Sequence, residues 1–342
     1  MSLEADNKFR ETIVEFCKAA SDPTPDKGAE MTTAQRAIAL ALENPLRTAV
    51  FSGNVVGDIF VKESYDYGQV PEYFTDLIRP GTEGEFTAYT MPEHGEIARK
   101  MVSSDRFYVT TYRVANSIDC TLSYLRKANW NVVFRMAQVL EAGFVKKIND
   151  DCFHTLISSG VSRNIMAYDS DAAAGQFTPR LVSLMKTIMR RNGGGNSTSV
   201  NRGQLTHLFI SPEAKDDIRS WGINLIPDAI RANIYVSPDN GSELMKIYGV
   251  EIRDLDELGV GQEYQTYYTS TLASSLAASD EELVIGLDKA HNDSFLMPVT
   301  KELSMETHDT TESRRKGLFG IFADMEYGVL AADARRTLLG SF

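Results

Sequence analysis

The clearest periodicity in the chain runs from about Asn129 to Ser158, where Val133, Ala137, Leu140, Phe144, Ile148, Cys152 and Leu156 recur at helical spacing. Met136 and Val139 widen the stripe, and Arg135, Gln138, Lys146 and Asn149 fall on the other side. No proline interrupts the run; Asn129 is placed to cap its start and Gly160 to end it. The spacing predicts one helix of about 30 residues, roughly 45 Å long, where a typical helix has about 11 to 12. Such a helix serves as a beam in an elongated molecule or belongs to a bundle, and no companion of matching length appears in the sequence.

The flanking segments read differently. Residues 1 to about 50 hold two short helical patterns, one with Phe9, Ile13 and Phe16 on a face and one capped by Thr33 with Ile38 and Leu42 before Pro45. Each is too short to hold a helix alone, which leaves two readings: surface helices on a core, or an arm leaning on a neighbouring subunit. From about 55 to 115 the pieces GDIFVKES, GEFTAYTM and RFYVTTYRV are strand-like and separated by the turn signals RPGTEG and PEHG. The stretch MPEHGEIARKMVSSD has few large apolar residues to bury and predicts a projecting hairpin tip.

After Gly160 the pattern is α+β. Thr178 and Pro179 begin a helix with Leu181, Leu184 and Ile188 and a basic last turn in Arg190 and Arg191, followed by the flexible polar loop NGGGNSTSVNRG. LTHLFIS reads as a buried strand, and Ser211, Pro212 and Glu213 start a helix that stops near Gly222. MKIYGVEIRDLDEL and LVIGLD are strand regions, and GLFGIFADMEYGVL and ARRTLLGSF close the chain with strand character. No internal repeat is visible.

The length of 342 residues suggests about two domains, with a core that needs neither disulfides nor structural metals. With 43% hydrophobic and 24% interspersed charged residues the chain is a folded protein. Its 35 Lys+Arg against 47 Asp+Glu give 35 − 47 = −12, which argues against a dedicated nucleic-acid binder. Cys17, Cys120 and Cys152 lack any CxxC or zinc spacing and read as reduced, mostly buried thiols. The N-terminus has no apolar export signal and no run reaches the ~20 apolar residues of a membrane span, so a reducing cytoplasm is expected.

The sequence offers no catalytic constellation. Gly193 to Gly195 are followed by Asn-Ser-Thr rather than the Lys of a phosphate loop, and neither GxGxxG nor GxSxG occurs. Asp150, Asp151 and His154 share helical spacing, but without a second acidic or His cluster they are expected to be a solvated face or a helix-terminal pair rather than metal ligands. His94, His207, His291 and His308 are scattered. The acidic region Asp280 to Glu312 is expected to be solvated surface, and Arg190 with Arg191, Arg314 to Lys316, and Arg335 with Arg336 to be solvated or salt-bridged. Catalytic, cofactor-binding and metal-binding residues are therefore all expected to be absent.

The order of features resembles the tailed-bacteriophage major capsid protein family, whose fold also underlies encapsulin shells. FYVTTYRVANSIDCTLSYLRKANWNVVFRMAQVLEAGFVKKINDDCFHTLISSG is similar to that family's strand, turn and spine helix. HLFISPEAKDDIRSW resembles the strand and helix opening the axial core, IYGVEIRDLDEL and LVIGLDKA the strands that follow, and GLFGIFADMEYGVLAADARRTLLGSF the closing strands of the peripheral domain. The likeness spans roughly residues 55 to 342.

The resemblance implies an α+β capsid fold divided into an N-terminal arm (1–58), an extended β-hairpin loop with flanking strands (59–115), a peripheral domain with the spine helix (116–175), an axial domain (176–300) and strands returning to the peripheral domain (301–342). It implies a shell subunit of homo-pentamers and homo-hexamers enclosing double-stranded DNA without sequence-specific binding, assembled in the bacterial cytoplasm with a scaffold, a portal and a possible decoration protein. Glu93, Glu96, Arg99 and Lys100 at the loop tip become candidates for contact between subunits. One branch of the family cross-links a loop lysine to an asparagine in the closing strands. Here Arg99 and Lys100 stand near the lysine position, but Gly317 or Leu318 takes the asparagine's place, which speaks against cross-linking. Rival readings are an encapsulin-like compartment and, more remotely, a soluble α+β enzyme.

Overall fold

The computed structural model describes residues 33–37, 55–74, 106–123, 130–192, 203–221, 245–276, 280–290, 294–307 and 315–342. The chain divides into two compact units, the first made of Met1–Pro71, Val109–Asp151 and Met297–Val329 and the second of Glu72–Tyr108, Cys152–Leu296 and Leu330–Phe342.

In the first unit, strands β1 (Val61–Ser64), β10 (Phe295–Thr307), β11 (Leu318–Tyr327) and β4 (Tyr112–Thr121) lie side by side in the order β1-β10-β11-β4. The β11 and β4 strands are antiparallel and in register over all ten residues, from Leu318 opposite Thr121 to Tyr327 opposite Tyr112. Central β11 has Phe319, Ile321, Ala323, Met325 and Tyr327 buried, and Asp324 is buried with them. The sequence reading left β10 as part of a solvated acidic stretch. Its thirteen residues are instead a strand whose first six are buried, and Glu281, Glu282 and Asp288 ahead of it are buried too. Charge count misled there, because Phe295, Met297, Val299, Leu303 and Met305 alternate beneath it at strand period.

The predicted long helix is α1 (Trp130–Ser162), 33 residues, of which Trp130–Asp151 belongs to the first unit and Cys152–Ser162 to the second. Ala137, Leu140, Phe144, Ile148, Cys152 and Leu156 are buried as the stripe requires, with Met136 beside them, whereas Val139 is 58% exposed. Gly160 does not end the helix. A Cβ there would sit 2.5 Å from Leu339 Cγ, so this glycine admits the neighbouring strand, and Asn164 takes the left-handed turn after the helix with φ 53°.

In the second unit a six-stranded sheet runs β5 (Met166–Tyr168), β13 (Thr337–Ser341), β9 (Leu283–Leu287), β6 (His207–Ile210), β8 (Val250–Asp254), β7 (Met245–Ile247). The two closing segments of the chain thus enter different sheets, β11 the first unit's and β13 the second's. Helix α2 (Pro179–Asn192) buries Leu181, Val182, Met185 and Met189 against this sheet, a face turned from the expected one, since Ile188 is only partly buried. Thr178 Oγ accepts from the Leu181 N–H, as its capping role predicts. Helix α3 (Pro212–Ser220) is capped by Ser211, whose Oγ accepts the Ala214 N–H at 3.1 Å. The β7–β8 turn uses Tyr248 and Gly249, both at positive φ (51° and 79°), the backbone of a tight two-residue hairpin. A separate antiparallel pair, β2 (Glu72–Phe74) with β3 (Arg106–Tyr108), brings the two ends of segment 75–105 together.

Candidate assembly surfaces

The residues singled out for chemistry are spent on structure. Asp151 accepts hydrogen bonds from Lys147 Nζ, Tyr112 Oη and Tyr327 Oη, each at 2.8 Å. The two tyrosine rings lie 5.1 Å apart on β4 and β11, so this carboxylate fastens α1 to the first unit's sheet. His154 stacks on Tyr267 at 3.9 Å and meets Tyr264 edge-on at 5.8 Å, both in the turns that follow β8. Among the described residues no group of three His, Cys, Asp or Glu side chains could hold a metal ion. Cys120 and Cys152 are buried and in no disulfide; burial, then the Asp119 charge, pushes the Cys120 thiol up to about 11, which leaves it unreactive. Cys17 lies outside the described residues.

A cavity of about 330 Å³ opens beside the end of α1, lined by Gly160, Asn164, Met166, Tyr268, Ser274 and Leu339 among others. Its titratable side chain is Tyr268, whose phenol is raised by burial despite a hydrogen bond to Ser274. No general base faces it, so it provides no nucleophile–base pair. Among the described helices none is long and apolar enough to cross a membrane.

Buried charge instead builds the scaffold. Asp324 accepts from Lys301 Nζ at 2.7 Å, Ser304 Oγ at 2.6 Å and Arg113 Nε at 2.7 Å, tying three strands of the first unit. In the second unit Arg336 donates to Asp288 at 2.6 Å, and Ser211 Oγ donates to Glu282. Of the expected contact residues, Glu93, Glu96, Arg99 and Lys100 all lie outside the described residues, as does the loop 193–202. Gly317 has φ 64° and its carbonyl accepts the Leu122 N–H, while Leu318 pairs with Thr121. Large apolar side chains stand free on the connection from β1 to β2, with Tyr67 80% and Val70 61% exposed. Sequence reasoning passed over these two because the segment carries no periodicity.

The fold these elements build is the one found in solved capsids. No protein-family model matches the sequence, and no curated protein does. Among solved structures, the chain is similar to one from Microbacterium phage Oxtober96 (8% identity, 84% of this chain and 90% of that one, TM-score 0.53). It is also similar to the capsid of a native GTA particle (11% identity, 84% and 89%, TM-score 0.51) and to the capsid asymmetric unit of cyanophage Pam1 (12% identity, 83% and 88%, TM-score 0.50).

Proposed function

We propose that the chain is the major capsid protein of a tailed bacteriophage, a shell subunit that assembles into pentamers and hexamers around packaged double-stranded DNA. The observation that carries this reading is the fold shared over 83% to 84% of the chain with solved capsids at 11% to 12% identity. A fold preserved while the sequence drifts this far is held by architecture, and function then sits in repeated contacts between copies. The expected division carries over as part of this reading, with 59–115 an extended loop lying over a neighbour and Glu93, Glu96, Arg99 and Lys100 making contacts there. A scaffold, a portal and a decoration protein are the further partners. The net charge of −12 suits a container, since a shell that gripped phosphate strongly would hinder packaging and release.

Electron microscopy of the purified protein, alone and co-expressed with a scaffold from the same genome, tests the proposal. Closed shells of uniform size are expected. Small soluble oligomers under every assembly condition overturn it, and shells that enclose a cargo enzyme instead of DNA assign the chain to a compartment rather than a virion.

A further inference from the structure

Two places in the second unit carry backbone that side chains resist. Among the described residues three non-glycines take positive φ: Tyr248 at 51°, Ala273 at 51° and Asn164 at 53°. Asparagine adopts that conformation readily, whereas a tyrosine or an alanine holds it at a cost, and such strain clusters at functional sites. Asn164 and Ala273 both line the cavity at the end of α1, and Tyr248 is the first residue of the β7–β8 turn.

The turn presents a knob. A two-residue turn with positive φ at both centres favours Asn-Gly; Gly249 keeps its part here, but a tyrosine stands in the first place. Its carbonyl accepts from Lys186 Nζ at 2.6 Å, which anchors the turn, while Tyr248 stays 46% exposed. An exposed aromatic on an anchored turn is preorganised for a partner.

The cavity is the matching hole. Its volume of about 330 Å³ exceeds the roughly 150 Å³ that admits a benzene ring and lies at the small end of the about 300–1,000 Å³ of ligand pockets, so it suits one ring and little more. Among the described residues no charged side chain lines it. Ile165, Met166 and Leu339 supply apolar wall, with a thioether that favours aromatic neighbours, and Asn164, Ser274 and Ser275 supply neutral groups that a phenol hydroxyl can bond. The wall is braced, since Tyr268 Oη donates to the Ser275 carbonyl at 3.2 Å.

Knob and hole belong to opposite edges of one sheet, the hole to β5 with Leu339 of neighbouring β13, the knob to β7. Five strand spacings of about 4.8 Å put those edges about 24 Å apart, so a chain cannot fill its own cavity. Resting on the shell reading above, we infer that Tyr248 of one copy enters the cavity beside α1 in the next. The contact joins two different surfaces of the same chain, so it is heterologous and repeats head to tail, the kind that closes into rings. One tyrosine buries about 150–250 Å², against about 800 Å² per partner in a standard stable interface, so the contact sets register within a larger repeated surface.

Variants of knob and hole test this. Tyr248→Asn suits the turn, so the unassembled protein is expected to melt no lower than the wild type, yet the yield of rings and shells in electron micrographs is expected to fall about tenfold. Tyr248→Phe keeps both ring and strain and is expected to assemble nearly as well as the wild type. Ser275→Trp fills the hole and is expected to lower the yield about as much as Tyr248→Asn. Circular dichroism checks that it folds, and Ile165→Trp, at a 39% exposed position, serves if it does not. Tyr248→Asn with Ser275→Trp in one chain is expected to assemble no worse than either alone, because there is one contact to lose. Wild-type assembly by folded Tyr248→Asn or by the folded hole-filled variant, or losses that multiply in the double variant, overturn the contact while leaving the shell reading intact. A wild-type chain that forms no particle under any assembly condition strikes the shell reading, and the contact with it.

Discussion

Two buried carboxylates respond to pH in opposite directions. Burial pushes the Asp324 carboxyl up, but hydrogen bonds from Lys301 and Ser304, the Lys301 charge and Arg113 outweigh it and leave the group below its ordinary 3.8. The unfolded chain therefore binds this proton first, so the stabilisation is complete above about pH 4 and is lost as pH falls through the folded value. Asp324→Asn is expected to flatten acid unfolding below pH 4 and to cost about 2 kcal/mol at pH 7, less than a fully desolvated pair because Lys301 and Arg113 reach solvent. Glu282 goes the other way: burial raises it above 4.5, Ser211 opposes, and the charges of Glu213 and Asp217 add to the rise. The folded state then binds the proton more tightly, and stability falls as pH climbs from about 4.5 through the raised value. Glu282→Gln keeps an acceptor for Ser211 and removes the buried charge. Its melting temperature is expected to exceed the wild type's at pH 7 and to match it near pH 4; a lower value at pH 7 would contradict this assignment.

At the scale of elements, two glycines on α1 behave differently although both are helical. A Cβ on Gly143 would approach Asn116 Nδ2 at 2.7 Å, the far end of a side chain that can swing away, so Gly143→Ala is expected to gain up to about 1 kcal/mol of helix propensity. At Gly160 the obstacle is the buried Leu339, with three of its carbons between 2.5 and 3.0 Å, and Gly160→Ala is expected to cost about 1–3 kcal/mol by chemical denaturation. The same contrast marks what the sequence could tell. Periodicity alone placed α1 and most of its buried stripe, and the caps at Thr178 and Ser211 were legible because each has a local partner three residues on. The role of Gly160 was not, since Leu339 lies 179 residues away, and a glycine near a helix end looks like a stop signal until that strand is in place. Likewise β10 was hidden by its charges, because the neighbours that bury it arrive from β11 and β1. Asp151 read as a solvated acid for the same reason: its tyrosine donors come from β4 and β11.

For the whole molecule, what holds a shell together follows from where the backbone of the closing strands is already committed. The family's covalent variant needs a lysine on the loop and an asparagine side chain on the closing strand. Where the resemblance would place that asparagine, this chain has Gly317, with no side chain and its carbonyl bonded to Leu122, or Leu318, whose side chain has no amide. Without an amide carbon to receive a lysine amine, no isopeptide bond can form there, so on the proposed shell reading the copies are expected to hold together noncovalently. Assembled particles boiled in detergent are accordingly expected to run as one band at 38.0 kDa. A ladder of covalent oligomers would rule out the noncovalent reading.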